Sequence, residues 1–127
     1  MVGDGDGIAR MRPPWALNVL AEAAALAALE DNAHAHRTRD FVRTEGAWLA
    51  AELSLLPGLY VWPAVANYLF IETQRAAELT AFAESRRVLI RDCSDWPGFP
   101  CHAIRVAVRR RWENEILIAV LRECLCG

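Results

Sequence analysis

Residues 88–111, VLIRDCSDWPGFPCHAIRVAVRRR, decide the architecture of this chain. They read as a short apolar strand ending at Arg91, a loop of twelve residues carrying Pro97-Gly98 and Pro100, and a second strand over 104–109 in which aliphatic residues alternate with arginine. If the strands are antiparallel neighbours, the end of one and the start of the next lie at the same sheet edge, and Arg91 and Arg105 converge. The two-residue period puts Ile104, Val106 and Val108 on one face and Arg105, Ala107 and Arg109 on the other.

The flanking segments extend this pattern. A helix over about 74–86 precedes the stretch, with Leu79 and Phe82 inward, and strands at 59–62 and 67–72, rich in aromatic and branched residues, lie before it on either side of Pro63. Further upstream a helix over about 38–55 sets Phe41, Trp48, Leu49, Leu53 and Leu56 on one stripe and stops at Pro57-Gly58. An alanine- and leucine-rich helix over about 15–36 is apolar around most of its circumference, the pattern of a helix buried on more than one side. A last helix over about 112–124 carries Leu117, Val120, Leu121 and Cys124 at helical spacing. The order α-α-β-β-α-β-β-α predicts an α+β domain of two layers, a mostly antiparallel sheet of three to four strands with helices packed on one face.

Composition narrows the classes. At 127 residues the chain is one domain, expected to span 13–127 after a flexible, glycine-rich leader over 1–12. Its net charge of −2, with 54% apolar and 24% charged residues, gives no electrostatic case for nucleic acid. All fourteen basic residues are arginine. Neither a signal peptide nor a membrane span is legible, so a cytoplasmic location is expected. Cys93, Cys101, Cys124 and Cys126 lack zinc-ligand spacing, and His34 and His36 lie far from them, so no metal site is expected. A Cys93–Cys101 bridge is conceivable across the loop, with free thiols the default in a reducing compartment. The Asp4-Gly-Asp6-Gly run has no glutamate at the twelfth position of a calcium loop.

Two guanidinium groups at one sheet edge make a site for a small dianion, since each planar fork can donate paired hydrogen bonds to a carboxylate or phosphate. Spacing alone leaves open the alternative that both are solvated surface arginines. The loop between them is longer than the usual four to six or so residues, and long loops are often functional. Asn18, early in a helix, has a capping role as its plain alternative.

The run Leu89-Ile90-Arg91-Asp92-Cys93-Ser94, then Pro97-Gly98-Phe99, then Ile104-Arg105-Val106-Ala107-Val108-Arg109 and Glu113-Asn114 resembles the C-terminal end of fold type I pyridoxal-phosphate enzymes. Within them it is most similar to the threonine-phosphate decarboxylases of cobalamin synthesis, then to the histidinol-phosphate aminotransferases. Pro14-Trp15-x-x-Asn18, Leu56-Pro57-Gly58-Leu59 and Ala66-Asn67-Tyr68-Leu69-Phe70 agree in order, so the resemblance covers nearly everything from Ile8 to Leu125.

The resemblance implies that Arg105 takes a substrate carboxylate, that Arg91 helps hold the phosphate or carboxylate, and that Asn18 and Arg109 lie near the substrate. It assigns no catalytic residue, and none that binds the cofactor, to this segment. It also implies an enzyme about three times this length, whose large domain carries the cofactor lysine; with no lysine here, the chain alone is expected to be inactive and to bind no cofactor. Three departures stand out: Gly46 where the family often has arginine, Ala64 where it commonly has serine, and Asp95 where it usually has asparagine. A carboxylate at Asp95 would oppose an anion by like-charge repulsion. The alternatives are a repurposed non-enzymatic domain that self-associates or binds a partner through helix 15–36, and a histidinol-phosphate aminotransferase-like fragment. An apolar helix left uncovered predicts a homo-oligomer.

Overall fold

The computed structural model describes residues 17–96 and 102–127. The chain divides into two compact units, residues 1–36 and 37–127. In the first, helix α1 (Val19–Glu30) begins at Asn18, whose side-chain oxygen accepts from the Ala21 amide at 2.9 Å. None of its residues is buried, so the pattern read as burial on two sides is instead exposed leucine and valine.

The long helix expected to reach residue 36 ends at Glu30, and α2 (Asn32–Leu53) begins two residues later. Asp31 causes the break. With ψ at 71° it leaves the helical region, and its carboxylate accepts from the His34 amide at 2.8 Å. An aspartate that caps the second helix competes with continuation of the first.

In the second unit, β1 (Tyr60–Val61), β2 (Tyr68–Glu72), α3 (Ala76–Ser85), β3 (Arg91–Asp92), β4 (Ala103–Ala107) and α4 (Arg111–Cys126) come after α2. The strands form one antiparallel sheet in the order β1-β2-β4-β3. Leu69, Ile71, Ile104 and Val106 meet Leu49, Leu53, Leu79, Leu117 and Leu121 from the helices in one core. This is the α+β architecture that the alternation predicts. At roughly 1.5–3 kcal/mol for each fully buried large aliphatic side chain, this layer contact dominates the stability of the unit.

Two strand ends fall short of expectation for identifiable reasons. The strand expected over 88–91 starts only at Arg91 because the Val88 amide closes the end of α3, donating to Ala83 O at 2.9 Å. Arg87 supplies the turn with a φ of +61°. At the other end, β4 stops at Ala107, not at residue 109, and the Arg109 amide donates to Asn114 Oδ1 at 3.0 Å. On the α2 stripe Leu49, Leu53 and Leu56 are buried, Trp48 is half-buried and Phe41 is exposed. Phe82 is likewise only half-buried, its ring lying 4.9 Å from the Arg86 guanidinium.

Candidate functional site

The site is set by strand register. Arg91 and Arg105 are Cα partners across β3 and β4, and Phe70 is the partner of Arg105 across β2 and β4. Directly opposed residues share a face, so Phe70, Arg105 and Arg91 form a row on the side of the sheet away from the helices. The neighbours of Arg105 along β4, Ile104 and Val106, are the core residues that fix its orientation, since a slip of one residue would turn Arg105 into the apolar layer.

The two guanidiniums have different surroundings. Arg91 reaches Asp95 Oδ1 at 3.5 Å, a long contact between exposed groups. Arg105 lies over the ring of Tyr68, 5.0 Å from its centroid. Beneath them Cys93 is fully buried; burial pushes its thiol pKa up, partly offset by the positive charge of Arg105 and Arg91. A thiol so disposed is a small core side chain rather than a nucleophile. Asp92 is held below the ordinary carboxylate range by hydrogen bonds from Ser94, whose amide donates to it at 2.9 Å. A cavity of about 540 Å³ is lined by Arg91, Asp92, Ser94 and Asp95 together with Thr80 and Ile90.

The remaining candidates lie elsewhere. Arg109 is beyond the end of β4, with its Nε donating to Glu113 Oε1 at 2.6 Å, and is committed to the start of α4. Asn18 caps α1 in the N-terminal unit. Asn67 accepts from the Val108 amide through its carbonyl at 2.9 Å and, with Ala64 and residues of α2, lines an open groove of about 720 Å³. Gly46, an apparent irregularity in α2, is buried there, and a Cβ on it would stand 3.4 Å from Ala64 Cβ and 3.5 Å from Val108 Cγ2. Both are ordinary van der Waals distances, so the helix packs closely against these two side chains at Gly46. Cys101 and Pro97-Gly98 lie outside the described residues, as does the 1–12 leader with its Asp-Gly run.

Sequence reasoning missed the aromatic surround. Trp62, Tyr68, Phe70 and Trp96 share an apolar groove with Pro63 and Val65, and Phe70 stacks on Trp96 with ring centroids 6.3 Å apart. The signal was present in Tyr68-Leu69-Phe70-Ile71, where aromatic and aliphatic residues alternate with the strand period. Also unforeseen was a cluster that ties α2 to α4. Arg111 donates twice to Glu45 at 3.0 Å and stacks on Trp48 at 3.7 Å, while buried Asn114 bridges Glu45 and the Arg109 backbone. Among the described residues no helix is long and apolar enough to cross a membrane.

No family model matches the chain. It is 40% identical over 98% of its length to a threonine-phosphate decarboxylase of Salmonella typhimurium, covering 35% of that protein. It is 38% identical over 90% of its length to a histidinol-phosphate aminotransferase of Symbiobacterium thermophilum, covering 31% of it. The crystal structure of L-threonine-O-3-phosphate decarboxylase from Porphyromonas gingivalis superposes on 96% of the chain with a TM-score of 0.78 at 26% identity, using 38% of that structure. The chain thus spans about a third of the length of the relatives it matches.

Proposed function

Because this chain belongs to the family of fold type I pyridoxal-phosphate enzymes that includes threonine-phosphate decarboxylases and histidinol-phosphate aminotransferases, we propose that it is the small, substrate-orienting domain of a threonine-phosphate decarboxylase-like enzyme. In this reading it serves cobalamin synthesis in the cytoplasm. The observation that supports the site is the cross-strand pairing of Arg91 with Arg105, which sets both arginines on one face of the sheet, the arrangement that binding of a single small dianion requires. The 40% identity to a decarboxylase favours that branch over the aminotransferases.

The residues present do not fit covalent anchoring of pyridoxal phosphate. The chain contains no lysine, and arginine, always protonated, cannot take over that role. The cofactor, when bound in the whole enzyme, supplies the electron sink for the reaction. These residues bind and orient: Arg105 takes the carboxylate, Arg91 the phosphate or a second carboxylate oxygen, and both hold the ligand in one pose. The lysine and cofactor phosphate site then belong to polypeptide outside this sequence, and the chain alone is inactive.

Calorimetric titration with L-threonine O-3-phosphate tests the site. Saturable binding that weakens at least about tenfold in Arg105→Ala and in Arg91→Ala is expected from the loss of a charge-assisted pair. Affinity unchanged by Arg105→Ala would overturn the assignment.

A second reading is favoured by one observation, the 79% exposure of Leu20 and Leu29 in α1. On that reading the chain is a non-enzymatic domain that self-associates through this helix. Light scattering that returns a monomer at high protein concentration counts against it.

A further inference from the structure

The register of β2 and β4 sets two aromatic rings beside Arg105. Phe70 stands directly opposite it and Tyr68, whose own partner is Ala107, stands diagonally, on the face turned away from the helices. Phe70 is turned to Trp96, with ring centroids 6.3 Å apart. Because Ala107 carries only a methyl group, the ring of Tyr68 is left open from across the strands, and the Arg105 guanidinium lies over it, 5.0 Å from the centroid. Leu69 and Ile71, both fully buried, fix the face that β2 presents and so fix the ring.

Arg111 shows what such a stack leaves available. Its guanidinium lies 3.7 Å from the Trp48 centroid and still donates two hydrogen bonds to Glu45 from its edge. A ring takes the flat face of the fork and not its N–H groups. Arg91, Arg109 and Arg111 each have a carboxylate partner, whereas among the described residues Arg105 has the ring and no ion pair.

We propose that Tyr68 is a positioning residue of the anion site: its ring holds the Arg105 guanidinium by the face and leaves the edge to take a ligand carboxylate. The inference rests on the reading of Arg105 as the carboxylate-binding residue. An unrestrained arginine loses rotamer freedom when it binds, and that loss weakens the complex. A neighbouring carboxylate would restrain the side chain too, but would compete with the ligand for the same N–H groups. An aromatic face restrains it without competing.

Calorimetric titration of the full chain with L-threonine O-3-phosphate is run on Tyr68→Phe, Tyr68→Trp and Tyr68→Ile, each also in the Arg105→Ala background. Isoleucine suits a strand and has no π face, so Tyr68→Ile should weaken binding by about three- to fivefold, the scale of a cation–π contact at a partly exposed position. Tyr68→Phe and Tyr68→Trp should stay within about twofold of the unsubstituted chain or bind tighter, because each keeps a ring. With Arg105 already alanine, the three substitutions should make no further difference. In the unliganded chain, the order parameter of the Arg105 Nε–H group, read by nitrogen relaxation, should be high, fall in Tyr68→Ile and hold in Tyr68→Phe, with that of Arg109 unchanged throughout.

Affinity that is lost in Arg105→Ala but kept in Tyr68→Ile would end this inference and leave the site standing. A loss in Tyr68→Phe equal to that in Tyr68→Ile would overturn it as well, since the hydroxyl would then be the group at work. So would a loss that persists without Arg105. Should Tyr68→Ile fail a circular dichroism check of its fold, Tyr68→Trp and the order parameter of the unsubstituted chain decide. A weaker complex in the first, or an Arg105 side chain as mobile as a solvated one in the second, refutes the positioning role. No binding by the unsubstituted chain, or binding indifferent to Arg105→Ala, removes the site and this inference together.

Discussion

Arg91 and Arg105 stand directly opposite one another on adjacent antiparallel strands, yet one guanidinium leans on the Asp95 carboxylate and the other on the face of Tyr68. Like charges at opposed positions destabilise a sheet by roughly 0.2–1 kcal/mol. A bound anion would remove that cost. Replacing either arginine by alanine should therefore leave the urea midpoint of the free chain unchanged or slightly raised while phosphate affinity falls. A loss of stability of more than about 1 kcal/mol in both variants would mean the pair is structural rather than a binding device.

Arg109 serves as the control within the same motif. Its guanidinium is exposed and paired with Glu113 four residues on, a type of contact worth about 0.3–0.5 kcal/mol. Arg109→Ala should change stability by less than about 1 kcal/mol and leave phosphate binding within twofold or so of the original. A large loss of affinity in a calorimetric titration would restore Arg109 to the site.

Asn114 is 1% exposed and satisfies both the amide and the carbonyl of Arg109. Asn114→Ala would leave two part-buried hydrogen bonds unmade, at about 1–3 kcal/mol. Chemical denaturation should show a lowered midpoint. Asn114→Asp should do no better, since a carboxylate can accept from the Arg109 amide but cannot donate to its carbonyl.

Glu45 has its pKa lowered mainly by the hydrogen bonds from Arg111, against the opposing effect of burial. A carboxyl depressed in the folded state contributes stability above its unfolded value, near 4.5, and loses it as pH falls through the folded one. The free energy of unfolding should therefore decline on acidification below about pH 4.5, and less steeply in Glu45→Gln. Parallel pH profiles for the two proteins would refute the assignment.

Arg87 holds a φ of +61° just after α3, where side chains other than glycine are strained. Left-handed backbone costs an L-residue about 1–2 kcal/mol, part of which glycine returns through its looser unfolded state. Arg87→Gly should raise thermal stability by about 0.5–1 kcal/mol. A fall would show that the Arg87 side chain makes contacts that outweigh the strain.

Local signals reached far here. The alternation Ile104-Arg105-Val106 is sufficient to separate the buried face from the arginine face, because a strand turns its side chains with a period of two whatever surrounds it. The same signal was open to view in Tyr68-Leu69-Phe70-Ile71, and reading it would have found the aromatic neighbours of Arg105. By contrast, the end of α1 depended on Asp31 preferring to cap α2, a competition between two local conformations that propensity does not rank.

What the sequence by itself determined is the layer order, the inward and outward faces of the last strand and the absence of any lysine, since these come from residue type, period and composition. Only the tertiary structure decided that Arg91 meets Arg105 in register, that Arg111 closes on Glu45 from 66 positions away, and that Asp95 stands against Arg91. Register and long-range pairing arise when the apolar faces pack into one core. No local preference of either partner encodes where the other will be.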